Sequence, residues 1–337
     1  MAPSGCTLRG RVWRGGELAD DFDFDRISDY LTEEDTLFWV DMYDPDHDAL
    51  ADLAAELDLS VWSIEDATAP SERVKTTVYP TYTFFTVYAV EMTQPQPGDE
   101  IRPLLSRHRI SAFVLPRGLV TVRLAPEFDI TTVTERWDEL GTAKYGVAGL
   151  VHGLLDVVVD GQFDAVQTLD DCIEGLEDEL FDPRPRSAER REFQRRSFQL
   201  RKDLVHLRRV VLPMREVVGA IQHRRHDIAE HPELDPLYID LYDHVLRASE
   251  WTESLRDLVT SVFETNLSLQ DARLNTVMKK LTGWAAIVAV PTAITGFYGQ
   301  NVPYPGYDTH GGFVVSSIVI VALVTALYIM FRRRDWL

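Results

Sequence analysis

With 54 acidic against 34 basic side chains and a formal net charge of −20, this 337-residue chain would repel a phosphate backbone, which excludes nucleic acid and favours cations as partners. A hydrophobic content of 45% is ample for folded cores in two or three structural units and excludes general disorder. Two cysteines, Cys6 and Cys172, provide neither a disulfide framework nor a thiolate metal site, which fits a reducing compartment.

Residues 1–35 read as an acidic N-terminal segment without a charged-plus-apolar leader, so neither cleavage nor export is expected. Residues 36–145 read as a cytosolic α/β domain. Leu37 to Val40 is a buried strand, Pro45 to Leu57 an amphipathic helix opened by Asp44-Pro45-Asp46, and Tyr82 to Val90 an aromatic and β-branched strand. Ala112 to Leu115 and Leu119 to Arg123 are two short strands joined as a hairpin at Pro116-Arg117-Gly118, giving a sheet flanked by helices. The cluster Asp44, Asp46, His47 and Asp48 stands at a helix start, where carboxylates cap the backbone and complement its dipole, and is read as structural.

From Gly146 the strand signals stop and helical stretches follow over 146–181, 187–229 and 236–298. Asp182-Pro183-Arg184-Pro185 separates the first two, so residues 146–235 form a helical hairpin. One arm is acidic (Asp170, Asp171, Glu174, Glu177, Asp178, Glu179) and the other basic (including Arg190, Arg191, Arg195, Arg196, Arg208, Arg209), which predicts that the arms pair with each other. His223 and His226 share a face, but Arg224 and Arg225 between them oppose a cation there.

The third stretch has no breaker between Pro236 and Pro291, so it predicts one helix of about 60 residues and about 90 Å. So long a helix implies oligomerisation. It ends in the first of two uncharged apolar runs, 281–298 and 313–331, each roughly 27–29 Å long as a helix and able to cross a bilayer. Lys279 and Lys280 precede the first run and Arg332, Arg333 and Arg334 open a basic tail, 332–337, after the second; the loop 299–312 has no Lys or Arg. The expectation is a two-helix transmembrane hairpin in the inner (plasma) membrane with both termini cytoplasmic.

Steps of four and three along the third helix give Glu250, Ser254, Asp257, Ser261, Glu264, Ser268, Asp271, Asn275, Met278, Thr282, Ala285, Ala289, Thr292 and Gly296. A closed coiled coil would place Leu, Ile or Val here. Instead the face is acidic or hydroxylic before the span and small or weakly polar within it. Several copies around an axis would line a wet tube, negative at its cytosolic end. Two plainer readings compete: the solvent side of an amphipathic stalk, and small residues marking close helix packing. After the span comes Tyr298-Gly299-Gln300-Asn301, either a helix end with Gly at its cap or, in a bundle, a ring of amides and carbonyls at the outer mouth that would hold the water shell of Mg2+.

These residues resemble the CorA family of magnesium transporters, two-span proteins marked by Tyr-Gly-Met-Asn at the end of the first span. Asn275 to Thr282 (Asn-Thr-Val-Met-Lys-Lys-Leu-Thr) is similar to the family's approach to that span, and Phe331 to Leu337 (Phe-Arg-Arg-Arg-Asp-Trp-Leu) to its basic tail. Upstream, Trp39-Val40-Asp41 with Asp44-Pro45, Ile64-Glu65-Asp66, Gln199 to Lys202, Leu207-Arg208-Arg209, Pro213 to Glu216 and Tyr242-Asp243-His244 resemble family segments in the same order. The likeness runs over residues 36–337.

The resemblance implies a homopentameric funnel: an α/β/α cytosolic domain, a helical hairpin, a long axial helix and a second span outside the first. It implies that Gly299 and Asn301 belong to the selectivity motif, Asn275 and Thr292 to the pore, and Glu264 to an acidic ring, with Asp271 on the same stripe. Asp240 matches an aspartate that helps hold a regulatory Mg2+ between subunits, whose partner position aligns with Thr93. Gln300 replaces the motif's Met, and Val302-Pro303-Tyr304-Pro305-Gly306-Tyr307 departs from the family's outer loop.

The expected function is membrane-potential-driven uptake of Mg2+, with Co2+ and Ni2+ as further candidates, gated by intracellular Mg2+. Mg2+ is then substrate and regulatory ligand, no catalytic cofactor is required, and partners are lipid, divalent cations and further copies of the chain. The alternatives are a ZntB-like Zn2+ transporter, with or without proton coupling, and a membrane-anchored sensor or scaffold. With no Gly-rich phosphate loop ending in Lys-Ser or Lys-Thr, an enzyme is not expected.

Overall fold

The computed structural model describes residues 6–19, 22–93, 105–124, 128–180, 187–228, 231–300, 303, 306 and 309–336, without the side chains of 47, 187–190 and 225–228. The chain divides into two compact units, 1–260 and 261–337. The first contains strands β1 (Thr7–Arg14) and β2 (Glu17–Ala19), helix α1 (Ile27–Thr32), β3 (Thr36–Tyr43), α2 (His47–Glu56), α3 (Val61–Thr68), β4 (Lys75–Val78), β5 (Thr83–Met92), β6 (Leu105–Leu115), β7 (Gly118–Arg123), α4 (Thr131–Leu140), α5 (Gly146–Leu180), α6 (Ser187–Val211) and α7 (Met214–Ile228). Helix α8 (Asp235–Tyr298) belongs to both units, and α9 (His310–Arg333) to the second.

Seven strands form one sheet in the order β2-β1-β3-β7-β6-β5-β4, with β3 and β7 parallel and the other pairs antiparallel. The sheet extends into residues 1–35, read as a separate acidic N-terminal segment, because β1 pairs with β3 from Thr7↔Tyr43 to Arg14↔Thr36. Arg9, Arg11 and Arg14 hide the strand's alternation in the sequence. Arg11 reaches Asp138 of α4 at 2.9 Å, while Val12 and Trp13 are buried on opposite faces. The hairpin expected at Pro116-Arg117-Gly118 is the β6–β7 turn, and Gly118 lies directly beneath the Phe38 ring, where a Cβ would approach to 2.2 Å.

Both faces of the sheet are covered, so β3 is buried along nearly its whole length. Phe38, Val40, Met42, Phe84, Phe113 and Val122 face one core with residues of α1, α2 and α3. On the other face Trp137 of α4 meets Trp39 edge-on at 5.1 Å and Trp13 at 6.2 Å. A buried polar network joins β3 to β7 here. Arg123 donates from Nε to Asp41 Oδ1 at 3.0 Å and from a terminal nitrogen to Oδ2 at 2.5 Å; Thr121 donates to Asp41 at 2.8 Å, and Trp39 Nε1 to Thr121 at 3.1 Å.

Helix α5 is apolar enough by length and composition to cross a membrane, but 61% of its apolar window is buried within the protein. It lies along β5, where Gln162 donates to the Tyr88 carbonyl at 2.9 Å. The helix expected over 187–229 is two helices, α6 and α7. Pro213 supplies no N–H and disfavours helical backbone at Leu212, so the chain turns between them. Across the hairpin arms Arg196 pairs with Glu179, whereas Arg208 reaches Glu253 of α8 at 2.5 Å and Asp170 accepts from Trp251 of α8 at 3.2 Å. The side chain of His226 lies outside the described residues.

The N-terminal half of α8 packs through Tyr238, Leu241, Val245, Ala248, Thr252, Leu255 and Val259, each three or four residues from the last and all buried. Tyr238 donates to the Ala148 carbonyl at 2.8 Å, and His152 lies edge-on to the Tyr238 ring at 5.2 Å with Nε2 against the Leu237 carbonyl at 3.2 Å. Nε2 therefore carries the hydrogen, and Nδ1 is buried without a partner among the described residues.

Burial pushes the His152 pKa down, outweighing the opposite pull of Asp156. The fold thus favours the neutral ring. Its contribution is present above the ordinary histidine value of about 6.5 and is lost as pH falls through the lowered folded value. Thermal unfolding at pH 7.5 and pH 5.5 is expected to show acid destabilisation that is smaller in His152→Phe. An unchanged difference would show that the ring is not a titrating element of the α5–α8 junction.

Candidate functional site

Every position of the stripe from Glu250 to Gly296 is exposed. The buried face of α8 lies about 160° round the helix, since Asp257 stands two residues from both Leu255 and Val259. The same steps run back through Arg247, Asp243 and Asp240, also exposed, so the face starts one heptad and a half earlier than Glu250. Arg247, paired with Asp243 at 2.8 Å, interrupts its negative character and hid this continuation in the sequence.

Along this face the side chains differ in what they have left to offer. Glu264, Asp271 and Asn275 make no hydrogen bond or ion pair among the described residues. Asp240 has a side chain 68% exposed, with His244 at 3.9 Å; Glu91, near the position aligned with its expected partner, faces His108 at 3.9 Å. Thr292 donates its hydroxyl hydrogen to the Val288 carbonyl at 3.1 Å, leaving oxygen lone pairs outward.

Helix α8 continues through Pro291, which lacks the N–H that would bond the Ile287 carbonyl. Thr295 donates nearby, to the Pro291 carbonyl at 2.8 Å. The helix closes with Gly299 N–H on the Thr295 carbonyl at 2.8 Å and Gln300 N–H on the Phe297 carbonyl at 3.3 Å, and both residues are exposed. Asn301 lies outside the described residues, as does most of the loop that follows. Helix α9 has a window of mean hydropathy 2.6 with none of it buried, and Phe313, Ile318 and Val321 are exposed. Such a surface needs lipid or other protein to cover it.

One chain does not gather these positions into a metal site. Glu264, Asp271, Asn275 and Thr292 follow one another along the axis, Thr292 standing about 40 Å from Glu264 at 1.5 Å per residue. No group of three or more His, Cys, Asp or Glu able to hold a metal occurs among the described residues.

The two faces of α8 predict two reactivities. Ser254→Cys and Ser261→Cys are expected to react with a water-soluble maleimide at least about tenfold faster than Leu255→Cys and Val262→Cys, because thiol reactivity needs access and ionisation. Cys6 and Cys172 give little background, since burial raises both thiol pKa values. Equal labelling on the two faces would refute the exposed stripe.

The family described as CorA-like Mg2+ transporter protein matches residues 34–333. YfjQ of Bacillus subtilis is 28% identical over 301 residues, 89% of each chain. The cobalt/magnesium transport protein CorA of Methanocaldococcus jannaschii is 26% identical over 322 residues, 93% of this chain and 95% of that one. The complete structure of the CorA magnesium transporter from that organism superposes with a TM-score of 0.75 at 23% identity, covering 98% of this chain and 99% of the other, which establishes the shared fold. An exposed polar face running into an apolar helix, a mixed sheet upstream and this match over nearly the whole length place the chain in the CorA family of membrane divalent-cation transporters.

Proposed function

We propose that the chain assembles as a homopentamer in the plasma membrane and conducts Mg2+ inward through a pore lined by α8. The observation that carries this reading is the stripe's polar register: it lies opposite a buried face as far as Ser261 and continues unbroken through a part of α8 that is largely exposed on every side. Five copies turned inward convert Glu264, Asp271, Asn275 and Thr292 from isolated side chains into successive rings. The end of α8 and α9 form the transmembrane hairpin, with α9 outside and both termini cytoplasmic. A divalent ion crossing 100 mV gains about 4.6 kcal/mol, twice the single-charge value, so uptake needs no ATP.

Apart from the thioether of Met278, the ligands on the stripe are hard oxygens, and neither Cys nor His occurs on it from Glu250 to Gly296, which suits Mg2+ with retained waters over Zn2+. Gly299, Gln300 and Asn301 form the outer ring in this reading. Asn301→Ala is expected to abolish Mg2+ uptake into proteoliposomes while pentamers still assemble, and undiminished uptake would refute the ring. Gln300 in place of the family's Met favours examining a second reading, Zn2+ transport. Zn2+ uptake driven by a pH gradient, without block by external cobalt hexaammine, would replace the first reading with it.

Feedback follows from acids on neighbouring subunits that repel until a divalent ion lies between them. Internal Mg2+ bound at Asp240 holds the pentamer closed in this reading. Asp240→Ala is expected to raise the internal Mg2+ concentration needed for half-inhibition of flux by about fivefold or more, the lower range of site coupling. An unchanged Mg2+ dependence would place regulation elsewhere.

A further inference from the structure

Arginines in this acidic chain commonly stand against carboxylates: Arg136 against Asp156 and Asp160, Arg196 against Glu179, Arg208 against Glu253 and Arg247 against Asp243. Arg107, Lys202 and Arg209 differ. None of the three has an ion-pair partner or a side-chain hydrogen bond among the described residues, and all are exposed. They are nevertheless held together by the fold. Lys202, His206 and Arg209 fall at i, i+4 and i+7 on one face of α6, and β6, against which α6 packs, carries Arg107 near its start, opposite Val90 of β5.

His206 is the centre of this group. Its Nδ1 is buried and has no hydrogen-bond partner among the described residues. Burial, and then the positive charges of Arg107, Arg209 and Lys202, keep the ring neutral against the weaker pull of Asp203. Asp203 is itself buried and accepts from Gln199 at 2.9 and 3.0 Å, so its carboxylate is engaged within its own helix. Three positive charges gathered around one imidazole repel one another. Among the described residues no carboxylate forms an ion pair with any of the three.

We infer that Arg107, Lys202, His206 and Arg209 form a binding site for an anion of the phosphate class bearing several charges. Two guanidinium forks and an ammonium are the cationic donors that phosphoryl oxygens accept from. A polyphosphate balances three charges where a single carboxylate leaves two uncompensated. The site lies off the α8 stripe and does not depend on the transport reading, because its test measures binding alone.

The full-length protein in detergent is titrated calorimetrically with pyrophosphate and, separately, with dihexanoyl phosphatidic acid, both free of divalent metal. Saturable binding is expected, weakened at least about tenfold by Arg209→Glu and similarly by Arg107→Gln, each removal of a close opposite charge being worth on the order of a kcal/mol. Pyrophosphate binding with this dependence supports the site with a soluble polyphosphate as ligand. Binding of the lipid alone with the same dependence supports it with a phosphorylated headgroup as ligand. Absence of binding by both, or affinities unchanged in both variants, overturns the inference.

Discussion

Helix α8 has to satisfy opposite demands on its two sides, and the rest of the structure follows from that. One side carries Tyr238, Leu241, Val245, Ala248, Leu255 and Val259, whose burial anchors the helix to α5 and its neighbours. The other carries side chains that a packed interface would not tolerate. Glu264 and Asp271 would be uncompensated charges against an apolar surface, at a cost of several kcal/mol each. An apolar contact on that side is therefore unfavourable. The stripe stays wet, and any assembly that brings copies of it together must enclose water or ions.

The sheet, through α5, provides the surface against which the N-terminal half of α8 packs. Asp41 and Arg123 are buried on adjacent parallel strands, and their bidentate contact, closed by Thr121 and Phe128, leaves few unpaired lone pairs or protons. A buried pair of this kind contributes little net stability over an apolar substitute, but losing one partner would strand the other, so it penalises any slip of β7 against β3. Helix α5 lies on the same side of the sheet and spends its apolar surface on protein. Its composition resembles that of a span, but the mean hydropathy of its apolar window is 1.2 against 2.6 for α9, and 61% of that window is buried where none of α9's is.

The legible parts of the sequence were those where one physical signal dominated. Alternating aromatic and β-branched residues revealed β5, Pro116-Arg117-Gly118 the β6–β7 hairpin, and sustained heptad spacing α8. β1 was missed because a strand edged by Arg9, Arg11 and Arg14 reads as a solvated charged segment; its alternation becomes visible only when Asp138 and Trp137 are known to lie beside it. The break at Pro213 was masked by continuous helical periodicity on both sides. On the stripe, the register was readable from spacing, but which side of the helix the fold would bury was not, because the moment of α8 is divided between a packed half and an apolar half. Which copies meet across the stripe depends on other chains and leaves no local pattern.

The chemistry of the exposed face also explains why cations suit it better than anions. A hydrated metal ion presents water hydrogens outward, so a lining must accept hydrogen bonds. Carboxylates at Glu250, Asp257, Glu264 and Asp271 do so only as acceptors. Thr292 could serve as donor or acceptor, but its hydrogen is committed to the Val288 carbonyl one turn below. Near Pro291, where a missing N–H weakens the helical ladder, Thr295 likewise commits its hydrogen inward. At these two positions the helix consumes the hydroxyl hydrogen and turns lone pairs outward, while Ser254, Ser261, Ser268 and Thr282 on the stripe make no such bond among the described residues. An anion meeting this face would find acceptors at those positions, whereas the water shell of a small divalent cation would find partners at each.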